Sequence, residues 1–110
     1  MADYYIEKAA QECENPSDDY LLGYEYVRGN NFFHRKLYEQ SKTHLDASLR
    51  LSRKKENKRF EADNLLLLGR IAKAERNYTE AQKLLAQAED LAIHYQFGEM
   101  LISIYQASNQ

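Results

Sequence analysis

The sequence has little of what many folds depend on. Of its 110 residues only four are Gly and one is Pro, and Trp is absent. All-β proteins use many Gly- and Pro-containing turns, so this composition argues against an all-β fold. Cys13 is the only cysteine, and one chain therefore forms neither an internal disulfide nor a cysteine-based metal cluster.

Long apolar runs and a strong net charge are missing as well. The longest apolar run, Leu65 to Leu68, is far shorter than the roughly 20 residues that a membrane helix needs. The N-terminus has no basic region followed by an apolar stretch, so no secretory signal is predicted. The formal net charge of −2 gives no overall field that would attract nucleic acid or an anionic membrane. We therefore expect a cytoplasmic protein without membrane contact.

What is present favours helices. Hydrophobic residues make up 44% of the chain and charged residues 29%, as in ordinary globular proteins. Leu, Ala, Glu, Lys and Gln are frequent, and all of them are good helix formers. A chain of this length buries one modest core. The composition predicts a single all-α domain over residues 1–110.

The periodicity of apolar residues predicts six helices. Pro16 ends the first, because the residue before a proline avoids helical geometry, and Ser17 is placed to cap the second. In the second helix the apolar spacing is carried by Tyr20, Leu21, Tyr24, Val27 and Phe32. The predicted spans are approximately 3–14, 18–35, 38–54, 58–75, 78–95 and 98–107.

The sequence also repeats itself after 40 positions. Gly and other small residues recur along with the large ones, which chance pairing of two helices would not produce, and small residues let two helix backbones approach closely. The matching pairs are Gly29 with Gly69, Tyr38 with Tyr78, Ser41 with Ala81, Leu45 with Leu85, Ser48 with Ala88 and Leu51 with Leu91. We interpret residues 18–57 and 58–97 as two repeats, flanked by capping helices in 1–16 and 98–110.

The second repeat carries ADNLLLLG at 62–69, Ala72, NYTEA at 77–81, Leu85 and Ala88. This pattern resembles the tetratricopeptide repeat, and the 40-residue period is similar to the long-repeat arrays of kinesin light chains, polarity scaffolds and bacterial peptide-sensing regulators. The first repeat departs from the pattern at Glu25, Arg28, Ser41 and Ser48. The resemblance covers roughly residues 18–105. It implies antiparallel helix hairpins stacked as a short α-solenoid.

In that family the first helix of each pair lines a groove that holds peptides or helices. Carried over by position, the groove residues are Tyr26, Asn30, Phe33, His34, Asp63, Leu66, Arg70, Lys73, Ser103 and Gln106. Arg70 and Lys73 would pair with carboxylates of the partner, while Tyr26 and Phe33 serve either as apolar anchors or as core. The resemblance implies a protein or peptide partner with acidic and apolar side chains.

No pattern predicts catalysis or a cofactor. His34, His44 and His94 lack the spacing of a zinc site, and there is no nucleophile motif or phosphate-binding loop. We expect no catalytic, metal-binding or cofactor-binding residue and no enzymatic activity. The basic cluster between Arg50 and Arg59 either contacts phosphate or forms a solvated corner, and Glu56 interrupts it.

Three functions remain open at this stage. The first is protein or peptide binding, either by this module alone or by the module as the interaction or sensor part of a larger regulator. The second is self-association as a homodimer, because a short array exposes apolar surface at its ends. The apolar residues of the last helix either cap that end or pair with a second copy, and they are Met100, Leu101, Ile104 and Tyr105. The third, given least weight, is nucleic-acid binding by the basic cluster.

Overall fold

The computed structural model describes residues 17–108, and these form five α-helices without a β-strand. The helices are α1 (Asp18–His34), α2 (Tyr38–Lys54), α3 (Lys58–Ala74), α4 (Tyr78–His94) and α5 (Gly98–Ser108). The all-α prediction is confirmed, and the helix bounds differ from those predicted by one residue at most. The helix predicted at 3–14 lies outside the described residues.

Side-chain caps fix where three of the helices begin. The Ser17 hydroxyl accepts a hydrogen bond from the Tyr20 backbone N–H at 3.2 Å. Asn57 caps α3 in the same way through the Phe60 N–H at 3.1 Å, and Asn77 caps α4 at 3.4 Å. Each cap satisfies a backbone donor that has no partner inside the helix.

The four connections between helices share one geometry. Each contains one residue with positive φ, namely Lys36 (61°), Glu56 (54°), Arg76 (63°) and Gln96 (61°). After each of them the next backbone N–H bonds a carbonyl five residues back, for example Asn57 N to Ser52 O at 2.8 Å. This is the Schellman arrangement, which satisfies the last helical carbonyls. Since the helices begin at residues 18, 38, 58, 78 and 98, the same turn recurs every 20 residues.

The helices pack as consecutive antiparallel neighbours. α1 pairs with α2 and α3 pairs with α4, while α2 contacts α3 and α4 contacts α5. α1 also contacts α3 directly, and α3 contacts α5, so the odd-numbered helices share one layer. α3 is central and buries side chains all around, including the whole run Leu65 to Leu68. The core is therefore built around α3.

In each hairpin the two helices are in close contact at a glycine. A Cβ added at Gly29 would lie 2.7 Å from Leu45 Cγ, and one added at Gly69 would lie 2.9 Å from Leu85 Cγ. Contacts this short do not occur between carbon atoms, so the leucines occupy the space that a side chain would need. The two hairpins thus use the same close approach at corresponding positions.

Two serines in the first hairpin form hydrogen bonds in addition to allowing the helices to pack closely. The Ser41 hydroxyl donates to the Gly29 carbonyl at 2.7 Å, and the Ser48 hydroxyl donates to the Leu22 carbonyl at 2.9 Å. Both serines are fully buried. The departure of this hairpin from the alanine pattern therefore adds hydrogen bonds between α1 and α2.

A buried amide links this hairpin to α3. Asn64 Nδ2 donates to Ser48 Oγ at 2.9 Å and to the Phe60 carbonyl at 2.9 Å, and it lies 3.5 Å from Ser52 Oγ. Asn64 is fully buried, and its Oδ1 has no hydrogen-bond partner among residues 17–108. Loss of the Ser48 hydroxyl would remove one of the two short hydrogen bonds that this buried amide donates, which is costly in an apolar surrounding.

The predicted apolar side of α1 is only partly correct. The buried residues are Leu22 and Gly29, whereas Val27 is 37% exposed and Tyr20 and Tyr24 are half-buried. The reason is that α2 approaches α1 on the side of Leu22 and Gly29, as the Ser48 and Ser41 hydrogen bonds show. No helix among residues 17–108 is long and apolar enough to cross a membrane.

We predict that Gly69→Leu destabilises the chain, because the new side chain competes with Leu85 for occupied space. Overpacking of this kind costs about 1–3 kcal/mol. Urea denaturation followed by circular dichroism measures the change. Gly23→Ala is the matched control, since a Cβ at Gly23 meets nothing within 4 Å. It should stabilise the helix by about 0.5–1 kcal/mol, and an equal loss in both variants would contradict the close-packing interpretation.

The left-handed turns generate a second prediction. Glu56→Gly should raise the free energy of unfolding by about 0.5–1 kcal/mol, because a non-glycine residue in this conformation is strained and the gain is offset in part by a more flexible unfolded chain. Glu56 is exposed, so little packing is lost. Glu56→Ala, measured in the same urea titration, keeps the strain and should show no gain.

Candidate binding surface

Two cavities lie where the odd-numbered helices meet. The first has a volume of about 410 Å³ and is framed by α1, α3 and α5. We call it the cationic pocket, and its lining residues are Phe33, Arg70, Lys73, Ala74, Gln106 and Ala107. It lies at the C-terminal ends of the three helices. The small side chains of Ala74 and Ala107 leave this cavity open.

The cationic pocket offers two positive charges beside an aromatic ring. Among the described residues, no carboxylate lies within ion-pair distance of Arg70. Lys73 Nζ donates to the Ala107 carbonyl at 2.5 Å, close to the C-terminal end of α5, where a cation is favourable. Phe33 is half-buried and packs with one side against the core. Arg70 is thus the cation available to a ligand.

The second cavity has a volume of about 490 Å³ and lies over α1 and α3. We call it the aromatic pocket, and its described lining residues are Asp19, Tyr20, Gly23, Tyr24, Tyr26, Val27, Phe60 and Asp63. The Tyr26 and Phe60 rings meet edge to face with centroids 5.4 Å apart. Tyr20 and Tyr24 are stacked at 6.4 Å. The pocket therefore combines four aromatic rings with two carboxylates.

Burial shapes the electrostatics of this second pocket. Desolvation raises the pKa of Asp63, opposed by the charge of Arg59, whose Nε lies 3.7 Å from the Asp63 Oδ2. Desolvation also raises the pKa of Tyr26 to about 12, with a further upward contribution from Asp63 and a downward one from Arg70. The Tyr26 phenol is consequently a neutral hydrogen-bond donor at pH 7.

The structure brings together six of the ten groove residues predicted from sequence. Phe33, Arg70, Lys73 and Gln106 line the cationic pocket. Tyr26 and Asp63 line the aromatic pocket. These six come from three different helices that sequence alone could not place side by side.

The other four predicted residues lie elsewhere. Leu66 is a correction: it is 8% exposed and belongs to the core cluster with Leu85 and Met100, because α3 is covered on that side by α4 and α5. Asn30 and Ser103 are half-buried and line neither pocket. His34 is exposed and packs edge to face against Phe33 at 5.5 Å.

Several lining residues were not predicted as part of a site. Tyr20, Tyr24 and Val27 fit the apolar periodicity of α1 and were assigned to its packed side, yet they border the aromatic pocket. Phe60 and Asp19 were not predicted as groove residues. The sequence signal that indicates this pocket is the presence of carboxylates at 19 and 63 beside aromatic residues, because a purely apolar face would not carry them.

The basic cluster is largely neutralised by carboxylates. Arg53 Nε lies 3.3 Å from Glu61 Oε2, and Lys54 Nζ lies 2.9 Å from Asp18 Oδ2. Lys58 also reaches Glu61, at 3.6 Å. These ion pairs connect the ends of α1, α2 and α3 and reduce the positive potential of the basic cluster.

The histidines lie in separate places. His44 Nδ1 is 2.6 Å from Glu25 Oε2, which joins α2 to α1, and its ring stacks on Phe32 at 5.4 Å. Within residues 17–108 no group of three or more His, Cys, Asp or Glu side chains is arranged to hold a metal ion.

Comparison with known proteins found no matching protein-family model, curated protein or solved structure. The resemblance to tetratricopeptide repeats therefore rests on the sequence pattern.

Proposed function

We propose that this chain is a non-enzymatic, tetratricopeptide-like module that binds a protein or peptide along the face formed by α1, α3 and α5. The cationic pocket is the observation that carries the proposal. A guanidinium that has no carboxylate partner within the described part of the chain, next to a half-buried aromatic ring, suits a ligand that presents a carboxylate beside an apolar side chain.

The arrangement of the pocket supports this choice over a structural role for Arg70. A guanidinium that only stabilises the fold is expected to pair with a neighbouring carboxylate, as Arg53 does with Glu61. Arg70 is half-buried without such a partner among the described side chains. A bound carboxylate would give Arg70 charge-assisted hydrogen bonds, which are the stronger kind.

We predict that Arg70→Glu weakens binding of a peptide selected from a random displayed library by at least about 10-fold, the loss expected for one charge-assisted hydrogen bond. Selected peptides should be enriched in acidic residues next to aromatic or aliphatic ones. Fluorescence anisotropy measures the affinity, and circular dichroism checks that the helices persist. Adding Lys73→Glu should deepen the loss, although this change also removes the hydrogen bond to Ala107.

Lys83→Glu is the matched control for Arg70→Glu. Lys83 is exposed on α4, outside both pockets, and the substitution makes the same change in net charge. Unchanged affinity in Arg70→Glu, or an equal loss in Lys83→Glu, would count against the pocket.

Self-association is the second candidate function, and exposed apolar residues on α5 favour it. Ile102 is 61% exposed and Tyr105 is 47% exposed, whereas Met100 and Ile104 on the other side of α5 are buried in the core. Two such faces packed together would bury apolar area on both chains.

For this second candidate we expect sedimentation velocity to show a dimer at micromolar concentration that Ile102→Glu converts to a monomer. The reason is that a carboxylate at this position would be desolvated in the interface. Ser108→Glu, at an exposed position at the end of the same helix, is the control. A wild-type chain that sediments as a monomer at all concentrations would remove the candidate.

Nucleic-acid binding is not proposed. The ion pairs of Arg53, Lys54 and Lys58 leave few cations at the basic corner to contact phosphate.

A further inference from the structure

We infer that the aromatic pocket accepts an arginine side chain of the same peptide whose carboxylate occupies the cationic pocket. The inference rests on the proposed function and extends it, since it specifies a second charged residue in the ligand and its spacing from the first. It concerns a different cavity, over the first half of α1 and the start of α3.

The lining of the aromatic pocket has the chemistry that a guanidinium requires. Aromatic faces attract cations through their quadrupole, and arginine also stacks on rings with its planar group. Tyr26 and Phe60 supply rings from α1 and α3, and Asp63 supplies a carboxylate to the same lining. An uncharged apolar ligand would bury this carboxylate without supplying a positive charge or a hydrogen-bond donor.

Asp63 has room for a further cationic partner. Its side chain is 25% exposed, and the only described ion pair that it makes is the one with Arg59 at 3.7 Å, which is longer than a hydrogen bond. Arg59 is itself placed over the Phe97 ring at 5.2 Å. Burial of the Asp63 carboxylate without a close donor leaves its charge available to a ligand.

The two pockets define a spacing. Asp63 and Arg70 are seven residues apart on α3, and Tyr26 and Phe33 are seven residues apart on α1. Seven residues of α-helix span about 10 Å. Residues i and i+3 of a peptide in the polyproline II conformation lie on one side and about 9 Å apart. The ligand is therefore a segment with arginine and an acidic residue separated by two positions.

The test is an NMR titration of the ¹⁵N-labelled full chain. The probes are the capped peptides Gly-Arg-Ala-Ala-Glu-Gly and Gly-Glu-Ala-Ala-Arg-Gly, because the chain direction in the groove is free, each used up to millimolar concentration. Amide signals of Tyr26, Phe60 and Asp63 should shift with the better peptide. Replacing its arginine by glutamine should abolish these shifts and weaken binding about 3- to 30-fold, the range of a cation–π contact.

Protein variants locate the effect. In Asp63→Asn, which is nearly isosteric, the arginine-to-glutamine change in the peptide should cost much less than in the wild type, whereas the glutamate-to-glutamine change should cost the same. Asp90→Asn, at an exposed position on α4, is the control and should behave as the wild type. Phe60→Leu provides a second variant that keeps apolar volume and removes the ring.

The outcomes separate this inference from the proposed function. If the peptide glutamate couples to Arg70 while its arginine makes no difference, the aromatic pocket is not an arginine site and the peptide-binding proposal stands. If neither peptide shifts amides at either pocket, both are overturned. Loss of arginine dependence in Asp63→Asn but not in Asp90→Asn supports the inference.

Discussion

The recurring left-handed turn is the constraint on which the rest of the structure depends. Each turn reverses the chain within three residues, and each of the first four helices has the same length of 17 residues. Every second helix therefore runs in the same direction. Because α1, α3 and α5 are parallel and adjacent, residues near their C-terminal ends meet across the layer, as Phe33, Arg70 and Gln106 do.

This parallel order separates charge along the binding face. The carboxylates of Asp19 and Asp63 lie toward the N-terminal ends of α1 and α3, and the cations Arg70 and Lys73 lie toward the C-terminal end of α3. Asp19 in the first turn of α1 and Lys73 in the last turn of α3 are placed where the dipoles of their helices favour their charges. The surface can therefore carry two opposite charges about two helical turns apart without relying on an ion pair between them.

The sequence predicted the helices well because their boundaries have local causes. Ser17, Asn57 and Asn77 are cap residues that act within three positions, and their signals do not depend on tertiary structure. The site was harder to predict. Four consecutive leucines on α3 give no periodicity, so the buried Leu66 could not be told from a groove residue, and aromatic spacing on α1 has the same form in a core and in a pocket.

The buried amide of α3 gives the array a fixed order. Asn64 meets the serine hydroxyls of α2, whereas the residue 40 positions later, Ile104, lies in an apolar cluster with Ala88 and Ala92 of α4. Exchanging the partners would set an amide against methyl groups and an isoleucine against hydroxyls. The contact between α2 and α3 is therefore polar where the corresponding contact between α4 and α5 is apolar. Because of this difference, the two hairpins cannot be exchanged in the array.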